Sequence, residues 1–128
     1  MKLIYFRGWL LLGGILLATV WWLSLTPSPP SANFPYADKV GHLLIYTIQM
    51  VWATWLWPYR RWLPALSLCV MGAMLEVLQG MTGYRTFEFA DMAANTTGVL
   101  LGWTLAYTPL SRGLAVVDGA LARHLGQH

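Results

Sequence analysis

Four long apolar runs alternate with short polar breaks along the chain. The runs cover residues 3–25, 40–57, 62–81 and 89–107, the first becoming wholly apolar only after Arg7. Each is close to the ~20 residues that an α-helix needs to cross a bilayer core. Unpaired backbone amides are too costly in hydrocarbon, so helix is the expected form of each run. The breaks are rich in turn formers: TPSPPSANFP after the first run, PYRR after the second and Pro109 after the fourth. Beyond Pro109, Leu110, Leu114, Val117, Leu121 and Leu125 recur at helical spacing. That period predicts a short amphipathic helix, lying on a membrane surface or against the bundle.

The first run has the charged start of a signal peptide in Lys2 and Arg7, but it ends in Trp21 and Trp22. No small-x-small cleavage site follows directly, so a retained helix is expected. The fold class is then all-α: a polytopic membrane protein with a four-transmembrane-helix bundle over residues 1–109 and an amphipathic tail over residues 110–128. The basic residues orient it. With the N-terminus inside, Lys2, Arg7, Arg60, Arg61, Arg112 and Arg123 are cytoplasmic and only Lys39 and Arg85 lie outside, a positive-inside split. Both termini are expected in the cytoplasm of a multi-pass cell-membrane protein.

Composition supports this reading and removes other function classes. Of 128 residues, 57% are hydrophobic and 10% charged, against ~25% charged in soluble domains. The net charge of +3 is scattered over loops, so it reads as topology and not as a nucleic-acid surface. Cys69 is the single cysteine, which excludes a disulfide framework and a thiolate metal site.

Within this apolar frame the polar side chains are strongly asymmetric. Asp38, His42, Tyr46 and Gln49 follow at steps that place them on one helix face. Glu76 and Gln79 share a face near the outer end of the third run. Arg85 and Glu88 lie in the outer loop, and Asp91 and Asn95 share a face at the start of the fourth run. Four of the five acidic residues thus collect at the outer end, while His124 and His128 belong to the tail on the other side. A site, if present, opens to the outer leaflet.

The segments DKVGHLLIY, EVLQG and YRTFEFADMAANTTGVLLG, taken in order, resemble the VanZ-like family of small bacterial membrane proteins. The resemblance runs over residues 37–102 and rests on Asp38, Lys39, His42, Tyr46, Glu76, Gln79, Arg85, Asp91, Asn95, Gly98 and Gly102. It implies a membrane protein linked to envelope or glycopeptide resistance, the founding member being associated with teicoplanin. It brings no assigned catalytic residues with it.

Each polar residue has a structural as well as a functional role open to it. Asp38 and Asp91 precede spans and suit helix N-caps, worth ~1 kcal/mol. His42 suits a hydrogen bond to Asp38, and Tyr46 and Gln49 suit interhelical bonds of ~0.6–1.7 kcal/mol. The GVLLG of Gly98 and Gly102 suits close packing, within the bundle or in a homodimer. Arg85 suits a headgroup anchor, and Glu88 a solvated loop acid.

Glu76 is the exception. A charge more than a turn inside a span costs roughly 2.5–3.5 kcal/mol, so it calls for protonation or for a partner such as His42 or Arg85. These residues compose three readings. An intramembrane enzyme would use Glu76 and His42 as acid–base pair with Asp91 as orienter, and Arg85 and Lys39 for phosphate. Asp38, Gln79, Asn95 and Tyr46 would complete the binding wall. No G-x-S-x-G nucleophile motif is present. No cofactor is expected; a divalent metal on His42, Glu76 and Asp91, with Asp38, is the minor option. A non-catalytic binder would take up a membrane lipid or lipid-linked envelope precursor. A small proton-coupled transporter would work as a dimer, although its carboxylate would then sit nearer the midplane than Glu76 does. Whether the chain is an enzyme stays open at this level.

Overall fold

The computed structural model describes residues 2–30 and 32–126, and every regular element among them is helical. Helix α1 spans Phe6–Leu25, α2 Ala37–Leu56, α3 Trp62–Met81, α4 Phe89–Leu105 and α5 Gly113–His124, with a 3₁₀ turn at Pro109–Arg112 before α5. The all-α expectation is met. Two of the helices, α1 and α3, are long and apolar enough to cross a membrane. By contrast α4 has 17 residues and α2 spends one face on Asp38, His42, Tyr46 and Gln49. Helix α2 also starts earlier than its apolar run, so Asp38 and Lys39 are in its first turn. His128 lies outside the described residues.

Helices α1 to α4 run antiparallel in sequence. One end of the bundle gathers the end of α1, the start of α2, the end of α3 and the start of α4; we call it the polar end. The other, the tail end, carries the start of α1 and all of α5. The core of Val20, Tyr46, Met50, Ala65, Leu68, Met71, Leu75 and Val99 lies between these ends.

Packing is tightest between α2 and α4, and glycine is the reason. A Cβ on Gly98 would stand 2.5 Å from the Leu43 carbonyl oxygen, and one on Gly102 2.6 Å from Met50 Cβ and 2.7 Å from the Thr47 oxygen. Both glycines of the GVLLG motif are buried against α2 within the chain. Helix α3 joins through a third glycine: a Cβ on Gly72 would meet the Tyr46 ring at 3.1 Å and Asn95 at 3.2 Å. Helix α1 is held differently, with Val20 as its one buried residue. Its middle touches α2 where Gly13 meets the Trp52 indole and Trp9 packs edge-on to Trp52 at 6.1 Å. Leu11, Ile15, Leu66 and Val70 are among many large apolar side chains left exposed, a surface suited to lipid.

The tail packs on the bundle, but not by the face its leucine period suggests. Leu114, Asp118 and Ala122 face inward, while Leu110, Val117, Leu121 and Leu125 are exposed. The reason is Asp118. Its carboxylate accepts the backbone N–H of Ile4 at 2.6 Å and of Tyr5 at 3.0 Å, and the Trp9 indole N–H at 2.7 Å. It thereby satisfies amides at the free start of α1, where the helix dipole also favours a negative charge. Burial pushes this carboxyl up, yet the donors of Trp9, Ile4 and Tyr5 outweigh it and hold the carboxyl below its ordinary value. A second tie joins Trp55 Nε1 to the Leu110 carbonyl at 2.7 Å.

Two outcomes are expected. Gly102→Leu should cost about 3 kcal/mol or prevent folding, because backbone and Cβ atoms of α2 cannot yield. Gly8→Leu, whose Cβ meets nothing within 4 Å, should be neutral; thermal unfolding in detergent compares them. The Asp118 clamp should be complete above about pH 4, near the unfolded carboxyl value, and fade as pH falls through the lower folded value. Asp118→Asn should abolish that dependence and raise hydrogen exchange in α5.

Candidate functional site

At the polar end the first turn of α2 lies beside the first turn of α4, an arrangement that follows from the glycine contact below it. Lys39 reaches across this gap. Its ammonium lies 2.8 Å from Asp38 Oδ2, 2.7 Å from Glu88 Oε2 and 2.9 Å from Asp91 Oδ1. One cation therefore serves three carboxylates. Lys39 stands one residue ahead of the apolar run and donates hydrogen bonds to Asp38, Glu88 and Asp91.

Neither aspartate is the N-cap that the sequence suggested. The cap positions are Tyr36 and Glu88, and neither makes a side-chain cap bond. Tyr36 holds a left-handed backbone, φ 61°, and turns the loop into α2. Asp38 and Asp91 sit inside the first turns, where their charge still complements the dipole. Asp38 is spent on Lys39, so His42 takes other partners. Its Nδ1 is 2.8 Å from Asn95 Oδ1 and its Nε2 is 3.7 Å from Asp91 Oδ2. Both ring nitrogens thus face α4.

Glu76 approaches from α3 and is 1% exposed. Neither expected cation touches it. Its Oε1 accepts the Glu88 backbone N–H at 2.7 Å, and its Oε2 is buried without a protein partner among the described residues. Glu88, expected to be a solvated loop acid, instead ties two parts of the site: its amide binds Glu76 and its carboxylate binds Lys39. The sequence signal was its place three residues before Asp91 at the mouth of α4.

Gln79 and Arg85 form a second group that fastens α1. Gln79 Nε2 donates to the Ser24 carbonyl at 2.7 Å, Tyr84 to Leu25 at 2.6 Å and Arg85 to Thr26 at 3.3 Å. Between this group and α2 lies a groove of about 370 Å³. His42, Asp38, Gln79, Arg85 and Tyr46 are among its polar lining residues, and Val20, Leu23, Phe34 and Ile45 among its apolar ones. Among the described residues Arg85 spends one side-chain hydrogen bond on the protein, leaving most of its five donors for a ligand.

The residues present fit a metal poorly. Asp38, Glu88 and Asp91 offer oxygens within 4.8 Å of one another, a different set from His42, Glu76 and Asp91. Lys39 already places its positive charge among those oxygens, and Asp38 is exposed. A divalent ion would have to displace a satisfied ammonium.

Comparison with known proteins adds one finding. The family model described as VanZ/LLP1 matches residues 3–112, most of the chain. No curated protein and no solved structure matches it.

Removing the shared cation should expose the cost of the acids. Lys39→Met should lower stability by about 2 kcal/mol, between values for exposed and buried pairs. Lys39→Met combined with Asp91→Asn should recover part of that loss, because one uncompensated buried charge is gone. Unfolding midpoints of the single and double variants measure the coupling.

Proposed function

The chain belongs to the VanZ/LLP1 family, whose model covers residues 3–112, and from that premise we propose a membrane protein that binds an anionic envelope lipid or lipid-linked precursor. In this reading α1 to α4 all span the membrane, both termini are cytoplasmic and the polar end faces the outer leaflet. Family membership links the chain to glycopeptide resistance, and sequestering a lipid-linked precursor is a physical route to resistance of the teicoplanin type. The observation that carries the proposal is the groove beside α1. It joins apolar walls, suited to a lipid chain, to an arginine with unspent donors at its rim. A planar guanidinium matches two oxygens of a phosphate at once.

Binding is favoured over catalysis because most polar groups at this end already satisfy one another. Lys39 holds three acids, His42 faces Asn95 and Asp91, and Gln79 holds α1. One observation favours chemistry as a second reading: the buried, unpartnered Oε2 of Glu76. A carboxyl oxygen with no fixed partner is free to exchange a proton with a bound group.

Native mass spectrometry of the purified protein with phosphatidylglycerol and with a polyprenyl monophosphate tests the proposal. Arg85→Gln should weaken capture roughly ten- to a hundredfold, the range for hydrogen bonds to a charged group, and Arg85→Lys should recover part of it. Undiminished capture by Arg85→Gln would sink the groove as the binding site. Glu76→Gln separates the two readings. It should retain both capture and glycopeptide protection in a strain lacking the native protein. Retained capture with lost protection would favour turnover at Glu76.

A further inference from the structure

A second groove, at the opposite level of the bundle, has the marks of a separate ligand site. It has a volume of about 520 Å³ and lies between the first half of α1, the second half of α2 and the first half of α3. That volume is within the ~300–1,000 Å³ of small-molecule pockets. Leu10, Leu17, Leu63 and Met71 are among its walls, and none of the described residues that line it is ionisable. Gly13 and Gly14 of α1 keep it open on one side.

The unexplained element is Gln49. The sequence suggested an interhelical bond for this side chain. In the structure Gln49 is 4% exposed, and both its Oε1 and its Nε2 are buried without a protein partner among the described residues. One turn further along α2, Trp52 Nε1 is buried and equally unpartnered, and both residues line the same groove. Ser67, another polar lining residue, is already spent on the Leu63 carbonyl at 2.9 Å. Among the described residues three buried side-chain atoms of the lining thus lack a partner: two nitrogen donors and one carbonyl acceptor.

An orphaned buried polar atom has lost its hydrogen bonds to water without replacement, so a partner from outside the chain is strongly favoured. The chemistry of that partner can be read from the donors. It must accept from N–H and donate to an amide oxygen, which a protonated carboxyl or a hydroxyl does reciprocally. It must also be uncharged. Gln49 lies eight residues from Trp57, the residue just beyond the end of α2, and at the helical rise that is roughly 12 Å into the bundle. At this depth in a bilayer, and with no charged residue in the wall, an ionised headgroup is excluded. A diacyl lipid keeps its esters at the interface and would leave Gln49 unsatisfied. We propose that this groove binds a single long aliphatic chain bearing one neutral hydroxyl or carboxyl group, which hydrogen-bonds Gln49 and Trp52. The site is independent of the outer-leaflet groove and of Arg85.

The experiment is photo-crosslinking of the full-length protein in nanodiscs, with a diazirine-bearing hexadecanol and, separately, the matching hexadecanoic acid. Adducts are mapped by mass spectrometry. The expected result is adducts concentrated on residues 10–17, 49–57 and 63–71. Hexadecanol labelling independent of pH, beside acid labelling that rises as the carboxyl protonates, assigns the site to neutral heads of both sources. Labelling by one probe alone assigns it to that source. Gln49→Leu should reduce labelling about tenfold while the protein unfolds no earlier, since an unsatisfied amide is replaced by an apolar side chain of similar size. Gly14→Leu, whose Cβ meets nothing within 4 Å, should fill the groove and block both probes without a clash. Three results would each overturn the proposal: adducts spread evenly over the lipid-facing surface, labelling unchanged by Gln49→Leu, or cross-links joining two copies of the chain through this groove.

Discussion

The close approach of α2 and α4 is the constraint on which the rest depends. Gly98 and Gly102 leave no room for a side chain between the helices, so their backbones lie against Leu43, Thr47 and Met50. Shared axes then bring one helix turn beside the other all the way to the polar end. Asn95 meets His42, and Asp91 meets Lys39, because the glycines below them fix the separation. Replace that contact with one set by leucines and the gap widens by a side chain. A long lysine side chain would still span it, but an imidazole bonded at 2.8 Å would not. The polar cluster is a consequence of apolar close packing.

Charge within such a cluster must be compensated locally. Asp38, Glu88 and Asp91 share one ammonium, a balance that leaves negative charge in excess at the start of α4. The helix dipole there offsets part of the excess. Glu76 stands outside this exchange, reached by a backbone amide only. Arg85, the remaining cation of this end, is turned to α1 and the groove. The polar end is therefore divided between an ion-paired network on α2 and α4 and an arginine turned to the groove beside α1.

Helices were readable in the sequence because length, apolar content and proline breaks report the same thing. The gathering of Asp38, Lys39, His42, Glu76, Asp91 and Asn95 at one end was also readable, because antiparallel helices bring alternate connections together. Pairings were not. Asp38 is one turn from His42, yet the choice of partner was made by α4, which helical spacing within α2 does not describe. Glu88 looked like loop and became a junction because the turn after Gly83 carries its amide back to Glu76, and chain reversal is invisible to periodicity. Asp118 left a clue in the tail: a lone acid four residues after Leu114, on the inward face. Its partners are backbone amides more than a hundred residues away, which no side-chain pattern announces.

Helix α1 explains why grooves exist at all. Its ends are tied by hydrogen bonds, to Asp118 at the tail end and to Gln79, Tyr84 and Arg85 at the polar end. Between these ties only Val20 is buried. A helix fixed at its ends by directional bonds has little need of a dense apolar seam along its length. Space therefore survives on either side of the Val20 contact, about 370 Å³ towards the polar end and about 520 Å³ towards the tail end. The two spaces differ in what they offer. One has a cation at its rim, whereas the other is closed to charge and presents an amide and an indole. Loose packing along α1 thus leaves two spaces of different lining, while Gly98 and Gly102 draw α2 and α4 together.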